Sequence, residues 1–159
     1  MSETADIRTE LSRLLKGNVL LIGIGNTLRG DDSAGPALIG LLEGKVKAGL
    51  LDAGEVPESY FGRILDAQPD TIAVIDAADF GGAPGDLALL EADDIAGRSV
   101  STHQLPLSLF FRLIKRCSRA EVFALGIQPE RITFGEPMSP AVASSVNALA
   151  ELLQDLLGK

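Results

Sequence analysis

Four short apolar runs set the terms on which this chain can fold: "NVLLIGI" (18–24), "AGLLDAG" (48–54), "TIAVIDAAD" (71–79) and "AEVFALGIQ" (120–128). Runs this short and apolar read as strands buried on both faces, which calls for a mostly parallel sheet with helices above and below. Segments of helical spacing fall between them. "SAGPALIGLLE" (33–43) follows the first run, with Asp31 or Asp32 as its N-cap, and "PESYFGRILDAQ" (57–68) follows the second, with Tyr60, Ile64 and Leu65 facing inward. "STHQLPLSLFFRLIKR" (101–116) opens as a polar loop and becomes a helix from about Leu105, with Pro106 in its first turn. Ser139 caps a last helix from Pro140, whose apolar stripe is Val142, Val146, Leu149, Leu152, Leu153 and Leu156. "DLALLEADD" (86–94) follows the third strand too closely for a crossover helix, so it is expected as an antiparallel edge strand. The expected fold is a three-layer α/β/α sandwich.

A length of 159 residues suits one domain. The net charge of −8 speaks against nucleic acid and against an anionic membrane surface. No apolar run approaches the ~20 residues of a membrane span. The charged N-terminal "MSETADIRTELSRLLKG" is no secretory signal, and its Ile7, Leu11, Leu14 and Leu15 predict a short helix packed on the domain. A single Cys117 forms no internal disulfide and fits a cytoplasmic protein. The stripe of the last helix is read as core rather than dimer seam, so the expected state is a monomer.

In open α/β sheets, ligands bind beyond the carboxyl ends of the strands. Asp31 and Asp32 follow the first strand, Asp52 ends the second, Asp76 ends the third, and His103 precedes the third core helix. "GIGNTLRGDDSAGP" (23–36) looks at first like a dinucleotide loop. Gly23 and Gly25 match that fingerprint, but its third glycine is replaced by Leu28 and Gly30 comes two residues late. Two acids at a helix N-terminus would also repel a pyrophosphate. No nucleotide is expected. Two carboxylates and an imidazole suit a borderline divalent metal such as nickel or zinc. The plainer readings are that Asp31 and Asp32 cap a helix, Asp76 and Asp79 shape a turn, and His103 is a loop residue. Spacing alone leaves both open.

"GIGNTLRGDDSAGP", "LDAGEVPES", "IDAADFGGAPGDL", "STHQLPLSLF" and "LGIQPERITFGEPMSPAV", in this order, resemble the hydrogenase maturation endopeptidases. The resemblance is closest to the type that processes formate-hydrogenlyase (hydrogenase 3) large subunits. It runs from Asn18 to the last helix, with residues up to Gly17 as a helical extension. It implies an endopeptidase, often classed as aspartic-type, that cuts a C-terminal extension from a [NiFe] hydrogenase large-subunit precursor after nickel insertion. The family's metal ligands map onto Asp32, Asp76 and His103, and a further acid tied to activity onto Asp52. On this pattern Gly23 and Gly25 form the tight turn, Asp31 caps the helix and Asp32 is the ligand. The nickel is expected to come with the precursor. Asp32, Asp52 and Asp76 are the acids from which a proton-sharing pair would be drawn. Cys117, late in a helix with no sequence-local base, is not a thiol nucleophile. The alternatives are a non-catalytic nickel-binding assembly module and a nucleotide-binding α/β protein.

Overall fold

The computed structural model describes residues 3–91 and 107–159, with side chains from residue 6. Five strands form one sheet: β1 (Val19–Ile24), β2 (Gly49–Gly54), β3 (Thr71–Ala77), β4 (Leu87–Leu90) and β5 (Glu121–Ile127). Their order is β2-β1-β3-β5-β4. All pairings are parallel except β4 with β5. The short "LALL" strand is thus the antiparallel edge that its spacing predicts, and it is only half-buried. β3 lies in the middle and is buried at every residue.

The described helices are α1 (Glu3–Leu14), α2 (Ala34–Leu42), α3 (Phe61–Asp66), α4 (Leu107–Cys117) and α5 (Pro140–Leu157). Alternation along the strands feeds two cores. Leu21, Ala73, Ile75, Phe123 and Leu125 pack on one face with Leu38 and Leu42 of α2, Val146 and Leu149 of α5, and Ile7 and Leu11 of α1. Ile22, Ile72, Val74 and Val122 pack on the other with Ile64 of α3 and Phe110, Phe111 and Ile114 of α4. This is the expected three-layer sandwich. The stripe of α5 is core: Val142, Val146, Leu149, Leu152 and Leu153 are all buried.

Local details differ from the expectation. The segment 57–66 is a 3₁₀ turn (Pro57–Tyr60) followed by the six-residue α3 rather than one helix. β2 and β3 run on past Asp52 and Asp76. Ser139 holds the N-cap position of α5, but its side chain makes no capping bond there. Leu105, Pro106 and His103 lie outside the described residues.

Candidate active site

The chain leaves β1 toward β2 on one side and leaves β3 toward β4 and β5 on the other, so the crevice between the ends of β1 and β3 is the topological switch point, where α/β sheets bind ligands. Asp32 and Asp76 meet there. Asp32 lies in a 3₁₀ turn, Gly30–Ser33, directly before α2, and is 1% exposed. Two glycines allow this turn to press on the strand ends. At Gly25, φ is +150° and a Cβ would collide with the Asp32 carbonyl oxygen. At Gly35, a Cβ would lie 2.5 Å from the Ile75 carbonyl oxygen and 2.6 Å from that of Ile24. The Asn26 amide donates to Asp32 Oδ2 at 2.9 Å, tying the carboxylate to the loop leaving β1.

Asp76 is 1% exposed, and neither of its oxygens has a hydrogen-bond partner among the described residues. Burial pushes its pKa well above the ordinary carboxyl range, and the neighbouring Asp32 charge pushes it further. The adjacent Ala77 amide offsets part of this without reaching hydrogen-bond geometry. Buried polar groups are paired in the great majority of cases. A buried carboxyl facing a second carboxyl asks for something positive between them. A shared proton or a divalent cation meets that demand.

Asp31 is the opposite case and corrects the expectation that it caps a helix. The N-cap of α2 is Ser33, without a capping side-chain bond. Asp31 turns away and accepts four hydrogen bonds, from the Glu130 amide (2.8 Å), the Arg131 amide (3.0 Å), the Ser139 amide (2.6 Å) and the Ser139 hydroxyl (2.8 Å). Burial would raise its pKa, but these donors outweigh burial and hold it below the ordinary value. Both of its oxygens are committed to the strap rather than to the crevice. It anchors the strap 129–139 to the turn that carries Asp32.

The other candidates are spread out. Asp52 is exposed at the end of β2, and its Oδ1 accepts from the Gly54 amide at 3.0 Å. Since Leu51 and Ala53 point into the α3/α4 core, Asp52 leaves the opposite face of the sheet from Asp76. The close acidic pair is therefore Asp32 with Asp76. Gly23 is a β1 residue rather than part of the turn; a Cβ there would stand 2.6 Å from the Gly35 carbonyl oxygen, so its role is close seating of α2. Among the described residues no three His, Cys, Asp or Glu side chains gather as a metal site. Asp79 is a turn residue: its Oδ1 accepts from the Gly81 amide at 3.1 Å.

Two structural residues escaped the sequence reading. Asn26 bonds Asp32 through its backbone and Glu55 through its side chain (3.0 Å). Buried Gln128 accepts from the Phe80 and Gly82 amides at 3.0 Å each and donates to Asp79 at 3.1 Å, pinning the loop after β3 to the end of β5. Both fall inside the quoted motifs, but an amide between apolar runs carries no signal of chemistry by itself. Between these loops lies a cleft of about 240 Å³, lined by Ala77, Asp79, Gln128 and residues 129–132.

The sequence model of the hydrogenase maturation protease family HycI matches residues 39–156. The hydrogenase 3 maturation protease of Escherichia coli K12 is 32% identical over 138 residues, covering 85% of this chain and 88% of its own. A putative hydrogenase maturation protease of Methanocaldococcus jannaschii is 34% identical over 152 residues, covering 87% and 89%. The crystal structure of the [NiFe] hydrogenase maturation protease HycI from Thermococcus kodakarensis superposes with a TM-score of 0.85 at 33% identity, over 93% of this chain and 98% of that one. The family match over most of the chain, and a sequence and fold shared almost end to end with these relatives, make this chain a protease of the hydrogenase maturation protease family.

Proposed function

We propose that this protease removes the C-terminal extension of a [NiFe] hydrogenase large-subunit precursor after nickel insertion, and that the nickel held by the precursor is what it recognises. The observation that carries this reading is Asp76, buried beside Asp32 with both oxygens lacking a described partner. A divalent cation arriving with the substrate removes the cost of that arrangement, and a precursor without metal does not. The site then favours the loaded precursor by the chemistry of its own carboxylates. In this reading Asp32, Asp76 and His103 face the nickel, His103 on the strength of the sequence resemblance. Asp52, at the neighbouring strand end, serves as general base or as a positioning group for the scissile peptide.

Intact mass of a large-subunit precursor after incubation with this protein, with and without nickel loaded, tests the reading. Loss of a C-terminal fragment from the nickel-loaded form alone is the expected result. Equal cleavage of both forms removes nickel recognition and leaves the protease. Asp52→Ala is expected to keep precursor binding and lose cleavage.

A further inference from the structure

Five large apolar side chains are exposed among the described residues: Leu28, Leu41, Val56, Leu109 and Phe134. Single exposed hydrophobics need no explanation. Their placement here does. Leu28, Val56 and Phe134, the three most exposed at 59%, 46% and 67%, stand in the loops that follow β1, β2 and β5. Those loops lie at the same end of the sheet as Asp32 and Asp76.

They are also stitched together. The Gly135 amide donates to the Leu28 carbonyl at 2.8 Å, which brings the Phe134 turn against the Leu28 loop. The Gly30 amide reaches the Glu136 carbonyl at 3.1 Å, and the Asp31 amide the Arg131 carbonyl at 2.8 Å. The Asp31 carboxylate adds its four bonds to the same strap. The Asn26 side chain links the Leu28 loop to Glu55, next to Val56. A loop fastened this firmly holds its apolar tip in water by construction. Preorganised surface of this kind lowers the ordering cost of binding.

We infer that Leu28 and Phe134 form an apolar recognition face of the site, taking an apolar segment of the precursor polypeptide beside the bond to be cut. A protease substrate must lay its chain across the Asp32–Asp76 crevice. Leu28 is four residues from Asp32 in a loop that closes on it, since the Asp32 amide bonds the Arg29 carbonyl at 3.0 Å. Chain leaving the crevice on that side covers Leu28 and Phe134. The inference rests on the function proposed above and assigns a docking surface to it.

The test is steady-state cleavage of the nickel-loaded precursor by the wild type, Leu28→Ser, Phe134→Ser and the double variant, with Leu41→Gln on α2 as control. Melting temperature is measured for each. Loss of substrate recognition made before chemistry raises KM and spares kcat. The double variant is expected to raise KM about tenfold or more at near-constant kcat, since burying these side chains is worth roughly that much in binding. Both residues are largely in water already, so melting temperature stays put, and the control matches the wild type. Wild-type cleavage with KM unchanged in the double variant overturns the inference and leaves the proposed function standing. Unchanged KM together with a wild-type dimer that the double variant loses overturns it too, assigning the face to self-association. A wild type that cleaves no nickel-loaded precursor overturns both readings at once.

Discussion

Replacing Asp31 by Ala should damage this protein more than any surface acid would. Four donors lose their acceptor: the Ser139 amide and hydroxyl, and the Glu130 and Arg131 amides. Ser139 is 0% exposed, so no water reaches its two groups. Leaving a buried donor unpaired costs about 1–3 kcal/mol, so Ser139 alone accounts for about 3 kcal/mol. The Glu130 and Arg131 amides belong to exposed and half-buried residues and rehydrate, adding about 1 kcal/mol. Removing a buried charge returns about 1 kcal/mol of desolvation, which leaves a net loss of about 3 kcal/mol. In a domain of 159 residues that lowers the melting temperature by about 9 °C. The pH dependence gives a sharper test. The folded-state pKa of Asp31 is depressed, so its stabilisation is present above its unfolded value of 3.8 and is lost as pH falls through the folded value. The gap between wild type and Asp31→Ala should therefore be wide at pH 7 and narrow toward pH 3. Thermal melts across that range measure it. A gap under about 1 kcal/mol at pH 7, or one that does not change with pH, refutes the ionised anchor.

Asp76→Asn should act in the opposite direction. Its raised folded-state pKa gives stability that is present below 3.8 and lost as pH rises through the folded value, so at pH 7–8 the metal-free variant should melt above the wild type, with the gap closing in acid. Its cleavage should fall about 10²–10⁴-fold, and a variant that melts lower at neutral pH contradicts the burial argument. Gly35→Ala puts a methyl 2.5 Å from the Ile75 carbonyl oxygen, which forces α2 off the sheet at a cost of about 3 kcal/mol. Denaturant melts report this cost, and kcat should fall as Asp32 moves. Gln128→Ala frees the Phe80 and Gly82 amides, destabilising by about 1–2 kcal/mol and raising hydrogen-exchange rates at Phe80 and Gly82 first.

Most of the fold was legible because each layer leaves its own period in the sequence. β3 and β5 read as continuous apolar runs since both faces are covered, and β4 announced its antiparallel edge by the mere nine residues between Ala77 and Leu87. The 3₁₀ turns were not legible. Pro57–Tyr60 and Gly30–Ser33 have the spacing of the helices they lead into, and sequence period does not separate one turn of each kind. Nor was the role of Gly23. Beside Gly25 it reads as loop flexibility, while its work depends on Gly35, twelve residues away and on another element.

The two adjacent acids show where sequence reading stops. Asp31 and Asp32 share composition, neighbours and burial, and spacing offered the same two roles to both. What separates them is direction. One residue of rotation in a 3₁₀ turn is about 120°, so consecutive carboxylates face different neighbours. Asp31 meets the strap 129–139, with four donors that lie about a hundred residues further along the chain. Asp32 meets the end of β3, where its charge acts against ionisation of Asp76. The partners that set the two apart, residues 130–139 and Asp76, are not local, so no window around residue 31 contains the information. The division also binds the two roles together: Asp32 stands against a buried carboxyl whose ionisation its charge disfavours, and the four bonds to its neighbour fasten the turn that carries it. Loss of the Asp31 anchor should then cost activity as well as stability, through an Asp32 that retreats from Asp76.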